Sequence, residues 1–259
     1  RHEIDTIVNF AAETHVDRSL ARPDLFFHTN LIGTVCLLRC ARDYGIRRFV
    51  QISTDEVYGS TPRGLEFDET APLKPSSPYA ASKAAADLAV LAYVTSYDFP
   101  ALIVRGCNNY GPRQYPEKLI PYFVCRALER KTLPLYGAGE NERDWIHVRD
   151  FSSAVALVLE KGADGEIYNV PGGARIVNSD IAGRLIKIVG NKDVEIERVA
   201  DRPGHDLRYR ISGAKINALG FAPEIDFDTG LEVTVRWYIE HRDRLRLLPE
   251  WERPLSDSI

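Results

Sequence analysis

Two short clusters could do chemistry in this sequence: Tyr79 and Lys83 in Ser77-Pro78-Tyr79-Ala80-Ala81-Ser82-Lys83, and Thr54-Asp55-Glu56 upstream. A spacing of four puts Tyr79 and Lys83 on one helix face. Ser77 suits an N-cap and Pro78 the first helical position, so Tyr79 stands in the first turn of a helix. An ammonium beside a phenol favours the phenolate, and is expected to lower the tyrosine from its usual value of about 10. That makes a base for an alcohol proton near neutral pH. Alone, Tyr-x-x-x-Lys is a weak signal, because such pairs occur on many helices. Asp55-Glu56 alone reads equally well as a solvated turn. Together with Thr54 at the end of an apolar strand, the pair supplies two carboxyls that can divide the duties of acid and base.

The elements that position these groups alternate. Ile4–Phe10 reads as a strand, with Ala11-Ala12-Glu13-Thr14 as its exit loop. Pro23-Asp24 opens a helix with Leu25, Phe26, Leu31, Ile32, Val35, Cys36 and Leu38 on a broad buried face, and Gly45 ends it as a C′ residue. Arg48–Ser53 is a second strand. A loop runs from Gly59 to Ser77, the Tyr79 helix continues to about Tyr97, and Ala101–Arg105 is a third strand. Strand–helix–strand–helix–strand predicts an α/β fold with a doubly wound parallel sheet, whose ligands sit at the carboxyl ends of the strands. Ala11–Thr14, Thr54–Glu56 and Asn108-Asn109 fall at such ends. From Gly106 onward Pro112, Pro116, Pro121 and Pro134 interrupt the pattern. Helices are expected at Leu119–Arg130, Asp150–Lys161, Ser179–Val189 and Thr229–Arg242, and strands at Glu166–Val170 and Val194–Arg198. This predicts a Rossmann-type domain over residues 1–107 and a smaller mixed α/β substrate domain over 108–259, with 145–172 returning to the first sheet.

The 259 residues suit one or two domains, and 44% apolar residues can bury a sizeable core. A net charge of −4 gives no indication of nucleic-acid binding. No apolar run approaches the roughly 20 residues of a membrane span. Cys36, Cys40, Cys107 and Cys125 read as buried free thiols in a reducing cytoplasm, and no metal site is expected. The chain lacks Met, starts in charged sequence and has no Gly-x-Gly-x-x-Gly turn after a first strand. Two strand–helix units, roughly 60 residues, are therefore expected to precede Arg1, leaving the Rossmann domain N-terminally incomplete. A chain without that turn is expected to bind a dinucleotide weakly.

At this point the chain resembles the extended short-chain dehydrogenase/reductases, and among them the dTDP-glucose 4,6-dehydratases. The stretches that carry the resemblance are Ala11–Ser19, Ser53–Gly59, Tyr79–Lys83, Asn108–Pro112, Pro116–Pro121, Arg143–Asp150 and Asp201–Asp206. The resemblance implies NAD as cofactor, a nucleotide-diphosphate sugar as substrate, and a cytoplasmic homodimer built on the helices at Pro23–Tyr44 and Pro78–Tyr97. It implies oxidation at C4 of dTDP-glucose, loss of water across C5–C6, and hydride return to C6, giving the 4-keto-6-deoxy sugar. Tyr79 is then the base, Lys83 sustains its phenolate, Thr54 holds the C4 oxygen, Glu56 removes the C5 proton and Asp55 protonates the departing hydroxyl. Ala11, Ala12, Thr14, Thr29, Tyr79, Lys83 and Asn109 correspond to cofactor contacts. Thr14, Thr54, Asn108, Lys118, Leu119, Pro134, Tyr136, Arg143, Asn178, Arg202 and His205 correspond to substrate contacts. Arg143 could instead pair with Asp144 or Glu142, and His205 could cap a loop. His15, His28 and His147 read as packed or capping residues. Three alternatives stand: a 4-epimerase, which needs no Asp-Glu pair; a dehydratase acting on a UDP, CDP or GDP sugar; and a non-catalytic fragment.

Overall fold

The structure, a computed structural model, describes residues 3–242. The chain divides into two compact units. The first runs to Cys107 and takes in Phe151–Pro171 and Tyr209–Ala222; the second holds Asn108–Asp150, Gly172–Arg208 and, among the described residues, 223–242. The sequence pattern placed a return to the first sheet at 145–172 and none at 209–222.

Four strands form the sheet of the first unit: β1 (Thr6–Asn9), β2 (Arg48–Thr54), β3 (Ala101–Gly106) and a later strand, Ile167–Val170, in the order β1-β2-β3-(167–170). Every pairing is parallel. All of β3 is buried, as a strand covered on both faces must be. Two helices fill the crossovers. After α1 (Val16–Ala21), the first is not one uniform helix: α2 (Pro23–Phe26) passes through a π-helical stretch, Phe27–Ile32, into α3 (Gly33–Asp43). The second, α4 (Pro78–Tyr97), starts where Ser77 and Pro78 direct it: Ser77 Oγ accepts the Ala80 amide at 3.1 Å. Apolar contacts of Leu38, Ala41, Phe49, Val90, Phe99 and Ile103 hold α3 and α4 on the sheet. Cys36 and Cys40, expected to be buried, are exposed, whereas Cys107 and Cys125 are buried. On α3 the inward positions belong to Thr34, Leu38 and Ala41, so Cys36 and Cys40 fall on the opposite flank.

The second unit holds β4 (Asn108–Tyr110), α5 (Leu119–Leu128), β5 (Leu133–Tyr136) and β6 (Glu142–His147). Helix α6 (Val148–Lys161) leads to β7, the strand Ile167–Val170 already described. β8 (Ala174–Val177), α7 (Asn178–Val189) and β9 (Ile196–Val199) complete the middle of the chain; α8 (Ala214–Ala218) belongs to the first unit and α9 (Phe227–Glu240) to the second. β4-β6-β8 form one small sheet and β5-β9 another. Asn108 and Asn109 therefore lie on a strand paired with Trp145 and Ile146, not in a bare exit loop. An apolar core of Ile120, Phe123, Val124, Leu133, Ile181, Leu185, Leu231 and Val235 joins α5, α7 and α9.

Candidate active site

In the first unit the chemistry gathers at the carboxyl end of β2. Thr54 caps a short 3-10 turn, Asp55–Tyr58: its Oγ1 accepts the Glu56 amide at 3.3 Å and donates to Asp55 Oδ1 at 3.3 Å. Gly59 closes that turn at φ 74°, and a Cβ there would stand 2.2 Å from the Lys74 carbonyl oxygen, so the turn requires glycine. Thr54 and Asp55 are buried and Glu56 is half-buried. Tyr79 reaches the same place from α4, where its phenol hydrogen-bonds Thr54. Lys83, one turn on, is buried and donates to the Ile52 carbonyl at 2.6 Å. The structure thus brings Thr54, Asp55, Glu56, Tyr79 and Lys83 together.

The electrostatics differ from the expected lowering of Tyr79. Burial, then the Glu56 charge, push the phenol well above its usual value; the Thr54 hydrogen bond opposes this, and Asp55 and Asp87 push further upward. The Lys83 ammonium is turned to Ile52, while carboxylates share the phenol's surroundings. Burial also pushes Lys83 below its usual value, against the field of Asp87.

Ala11, Ala12 and Thr14 follow β1, and Thr29 lies in the π-helical stretch. Their loop is fixed by residues that the sequence pattern did not single out. Asn9 Oδ1 accepts the Ala11 amide at 3.2 Å, and its amide group donates to Gln51 at 2.9 Å. Asn30, fully buried at the centre of the π-helical stretch, accepts the Glu13 amide at 2.8 Å and donates to the Glu13 carbonyl at 3.0 Å and to Ser82 at 2.8 Å. Asn30 thereby clamps the β1 exit loop to the helix of Tyr79, and π-helical segments are frequent at functional sites. Tyr209 was also missed: it is buried and donates to Glu56 Oε2 at 3.5 Å. It lies 153 residues from its partner, so no local pattern could find it.

The second unit gathers a separate polar cluster. Pro134 and Tyr136 share one face of β5, and the Tyr136 ring meets His205 edge-on at 5.9 Å. His205 Nδ1 lies 2.6 Å from Asp201, and burial, Arg202 and Arg143 hold its imidazole below the usual value. Arg143 is buried and donates to the Asp206 carbonyl at 3.0 Å and to the Glu142 carbonyl at 2.8 Å. Asn178 opens α7, its amide N–H bound to the Asn141 carbonyl at 3.1 Å and its side-chain oxygen buried without a partner. Asn108 and Asn109 on β4, and Lys118 and Leu119 at the start of α5, come from other edges of this unit. Of the expected non-catalytic histidines, His15 caps α1, His147 is buried against Tyr110 and His28 is exposed.

Residues 1–234 match the family described as GDP-mannose 4,6 dehydratase. The low-salt glycan biosynthesis protein Agl12 of Haloferax volcanii is 50% identical over 237 residues, 92% of this chain and 76% of that protein. A dTDP-glucose 4,6-dehydratase of Streptomyces niveus is 47% identical over 253 residues, 97% of this chain and 73% of that protein. The solved dTDP-glucose 4,6-dehydratase DesIV of Streptomyces venezuelae, crystallised with NAD, is 51% identical with a TM-score of 0.90, covering 92% of this chain and 74% of that one. A UDP-glucose 4-epimerase of Thermus thermophilus, also with NAD, superposes with a TM-score of 0.87 at 32% identity, covering 92% of this chain and 78% of that one. With a Thr-Asp-Glu strand end set against a Tyr-x-x-x-Lys helix and this likeness along nearly its whole length, the chain belongs to the GDP-mannose 4,6 dehydratase family of nucleotide-sugar enzymes.

Proposed function

We propose that this protein is an NAD-dependent dTDP-glucose 4,6-dehydratase, a hydro-lyase of deoxysugar biosynthesis. One observation carries the choice of reaction: Asp55 and Glu56 stand close enough to Tyr79 for both charges to act on its phenol. A site that only oxidised and reduced C4 would have no use for two carboxyl groups there, and a charge on either opposes ionisation of the base. An elimination needs them, one as base at C5 and one as acid at the departing C6 hydroxyl. This favours dehydration over the epimerase reading.

The donor set suits a nicotinamide cofactor. Lys83 spends one of its three ammonium protons on Ile52, leaving two donor directions for ribose hydroxyls beside Tyr79. Ala11, Ala12, Thr14, Thr29, Tyr79, Lys83 and Asn109 would hold NAD. When bound, it supplies a hydride acceptor for C4 and the same hydride for C6. Thr54 orients the C4 oxygen, and Tyr79 takes its proton. With C4 oxidised, the C5 proton is acidic; Glu56 removes it, and later restores it. Asp55, kept by burial and the Thr54 contact in a setting different from that of Glu56, protonates the leaving hydroxyl. Tyr136, Arg143, Asn178, Arg202 and His205, with Pro134, Asn108, Lys118 and Leu119, supply contacts to the nucleotide diphosphate; the guanidinium of Arg143 offers a fork for diphosphate oxygens.

The proposal includes a homodimer and a cytoplasmic setting. Phe27, Ile32, Leu88 and Tyr97 expose large apolar side chains on the two helical segments named for the interface. The four cysteines are free, and among the described residues no helix is long and apolar enough to cross a membrane. The test of function is Glu56→Gln. It should stop product formation while reduced nicotinamide still accumulates on mixing with dTDP-glucose, seen as absorbance at 340 nm. Unimpaired product formation would remove Glu56 from the role of C5 base.

A further inference from the structure

Beneath the site lies a charged group that the reaction steps leave unused. Asp87 sits on α4 one turn beyond Lys83 and is fully buried. Its Oδ2 accepts Ser53 Oγ at 3.0 Å and Arg105 Nε at 2.9 Å. Arg105, also buried, donates to Tyr58 Oη at 2.7 Å, and Tyr58 donates to Asn169 Oδ1 at 2.9 Å. The network links β2, β3, β7, the Asp55–Tyr58 turn and α4, so the carboxylate cannot swing away. Burying an ion pair costs several kcal/mol of desolvation and is weak evidence of a stabilising purpose.

We propose that Asp87 is a positioning residue for the reaction: its pinned carboxylate, one helical turn from Lys83, keeps the Lys83 side chain an ammonium and so sets the charge beside Tyr79. The elements packed against α4 bring other ionisable groups: Asp55, Glu56 and Tyr58 from the turn, Arg48 from β2, Arg105 from β3, and Asp17 and Arg18 from α1; those on α2, the π-helical stretch and α3 (Asp24, His28, Cys36, Arg39, Cys40, Arg42 and Asp43) are exposed. Asp55 and Glu56 act on Tyr79. Arg105 is committed to Asp87 and Tyr58. Asp87 is the charge that opposes the effect of burial on Lys83. Ser53 and Arg105 fix the carboxylate, and Asp87 in turn offsets one of two buried cations, Lys83 and Arg105. A neutral amine at position 83 would no longer favour the Tyr79 phenolate.

This rests on the dehydratase reading only for the consequence in turnover; the charge of Lys83 is measured without substrate. Lysine labelled with 13C at Cε, its Lys83 signal assigned by Lys83→Arg, is titrated by NMR in the cofactor-free protein. At an effective dielectric near 20 and a charge separation of roughly 6–10 Å, Asp87→Asn should lower the Lys83 midpoint by about one to two pH units. If Asp87→Asn alone does not fold, because it leaves Arg105 unpaired, Asp87→Asn with Arg105→Gln removes both charges and should still lower the midpoint. In the NAD-loaded enzyme the alkaline limb of kcat should move the same way in each variant. An unchanged Lys83 midpoint, or a shifted midpoint with an unmoved limb, overturns the proposal. Absence of dehydratase turnover in the unsubstituted protein would instead refute the functional reading and leave the NMR result to stand.

Discussion

Replacing Thr54 by Val tests the site at its junction. The change is nearly isosteric and removes one hydroxyl with three contacts: it accepts the Glu56 amide at 3.3 Å, donates to Asp55 Oδ1 at 3.3 Å and hydrogen-bonds the Tyr79 phenol. Losing the cap costs about 1 kcal/mol, and leaving the buried phenol without its partner costs a further ~1–3 kcal/mol. Urea unfolding should therefore report a loss of about 2–4 kcal/mol. The catalytic effect is separate. Thr54 is the hydrogen bond that favours ionised Tyr79, and a bond to a charged group contributes about 1.5–3 kcal/mol. At 1.36 kcal/mol per decade, the C4 oxidation step should slow by roughly tenfold to 150-fold. The assay is stopped-flow absorbance at 340 nm with enzyme in excess over dTDP-glucose. Thr54→Ser keeps the hydroxyl and should stay within about threefold of the unsubstituted protein. A folded Thr54→Val protein that oxidised substrate at the unsubstituted rate would refute the link between Thr54 and the base.

Tyr209→Phe removes a long hydrogen bond to Glu56 at 3.5 Å, worth about 0.5–1 kcal/mol, so elimination should slow by about two- to fivefold with C4 oxidation unchanged; a slowed oxidation step instead would detach Tyr209 from Glu56. His205 is held below its usual value of about 6.5 chiefly by burial, then by Arg202 and Arg143. As pH falls through 6.5 the unfolded chain takes up a proton that the folded one refuses, so this histidine makes stability decline from about pH 7.5 downward until its folded value is reached. His205→Gln should flatten that decline in urea midpoints, and an equally steep decline would contradict the assignment. Light scattering at micromolar concentration should find a dimer, and Leu88→Asp on α4 should shift it toward monomer; a monomer before any substitution would count against the interface.

The catalytic half of the site was legible because its signals are local. Ser77, Pro78 and the Tyr79–Lys83 spacing specify a helix start, and the apolar runs at β1, β2 and β3 specify strands whose ends carry polar groups. What escaped depends on contacts far apart in the chain. Asp87 and Arg105 stand in the sequence as one helix acid and one residue at a strand end; only the fold makes them a buried pair. Tyr209 meets Glu56 through the return of Tyr209–Ala222 to the first unit. The π-helical stretch at Phe27–Ile32 was invisible because its apolar residues also satisfy a 3.6-residue period. Strands β4, β5, β6 and β8 are short, and Pro134, Arg143 and Asp144 broke the alternation that would have marked two of them. The lowered phenol failed as an expectation because sequence spacing counts Lys83 but not the burial and the carboxylates around Tyr79.

The central claim is an internal oxidation and reduction with water lost between them. It is tested most directly with dTDP-glucose carrying deuterium at C4, turned over by this protein with NAD and analysed by NMR and mass spectrometry. The expected product is the 4-keto-6-deoxy sugar with deuterium at C6 and no net build-up of reduced nicotinamide. A product that kept C6 oxygen and deuterium at C4 with inverted configuration, or a stoichiometric yield of reduced cofactor, would contradict the account.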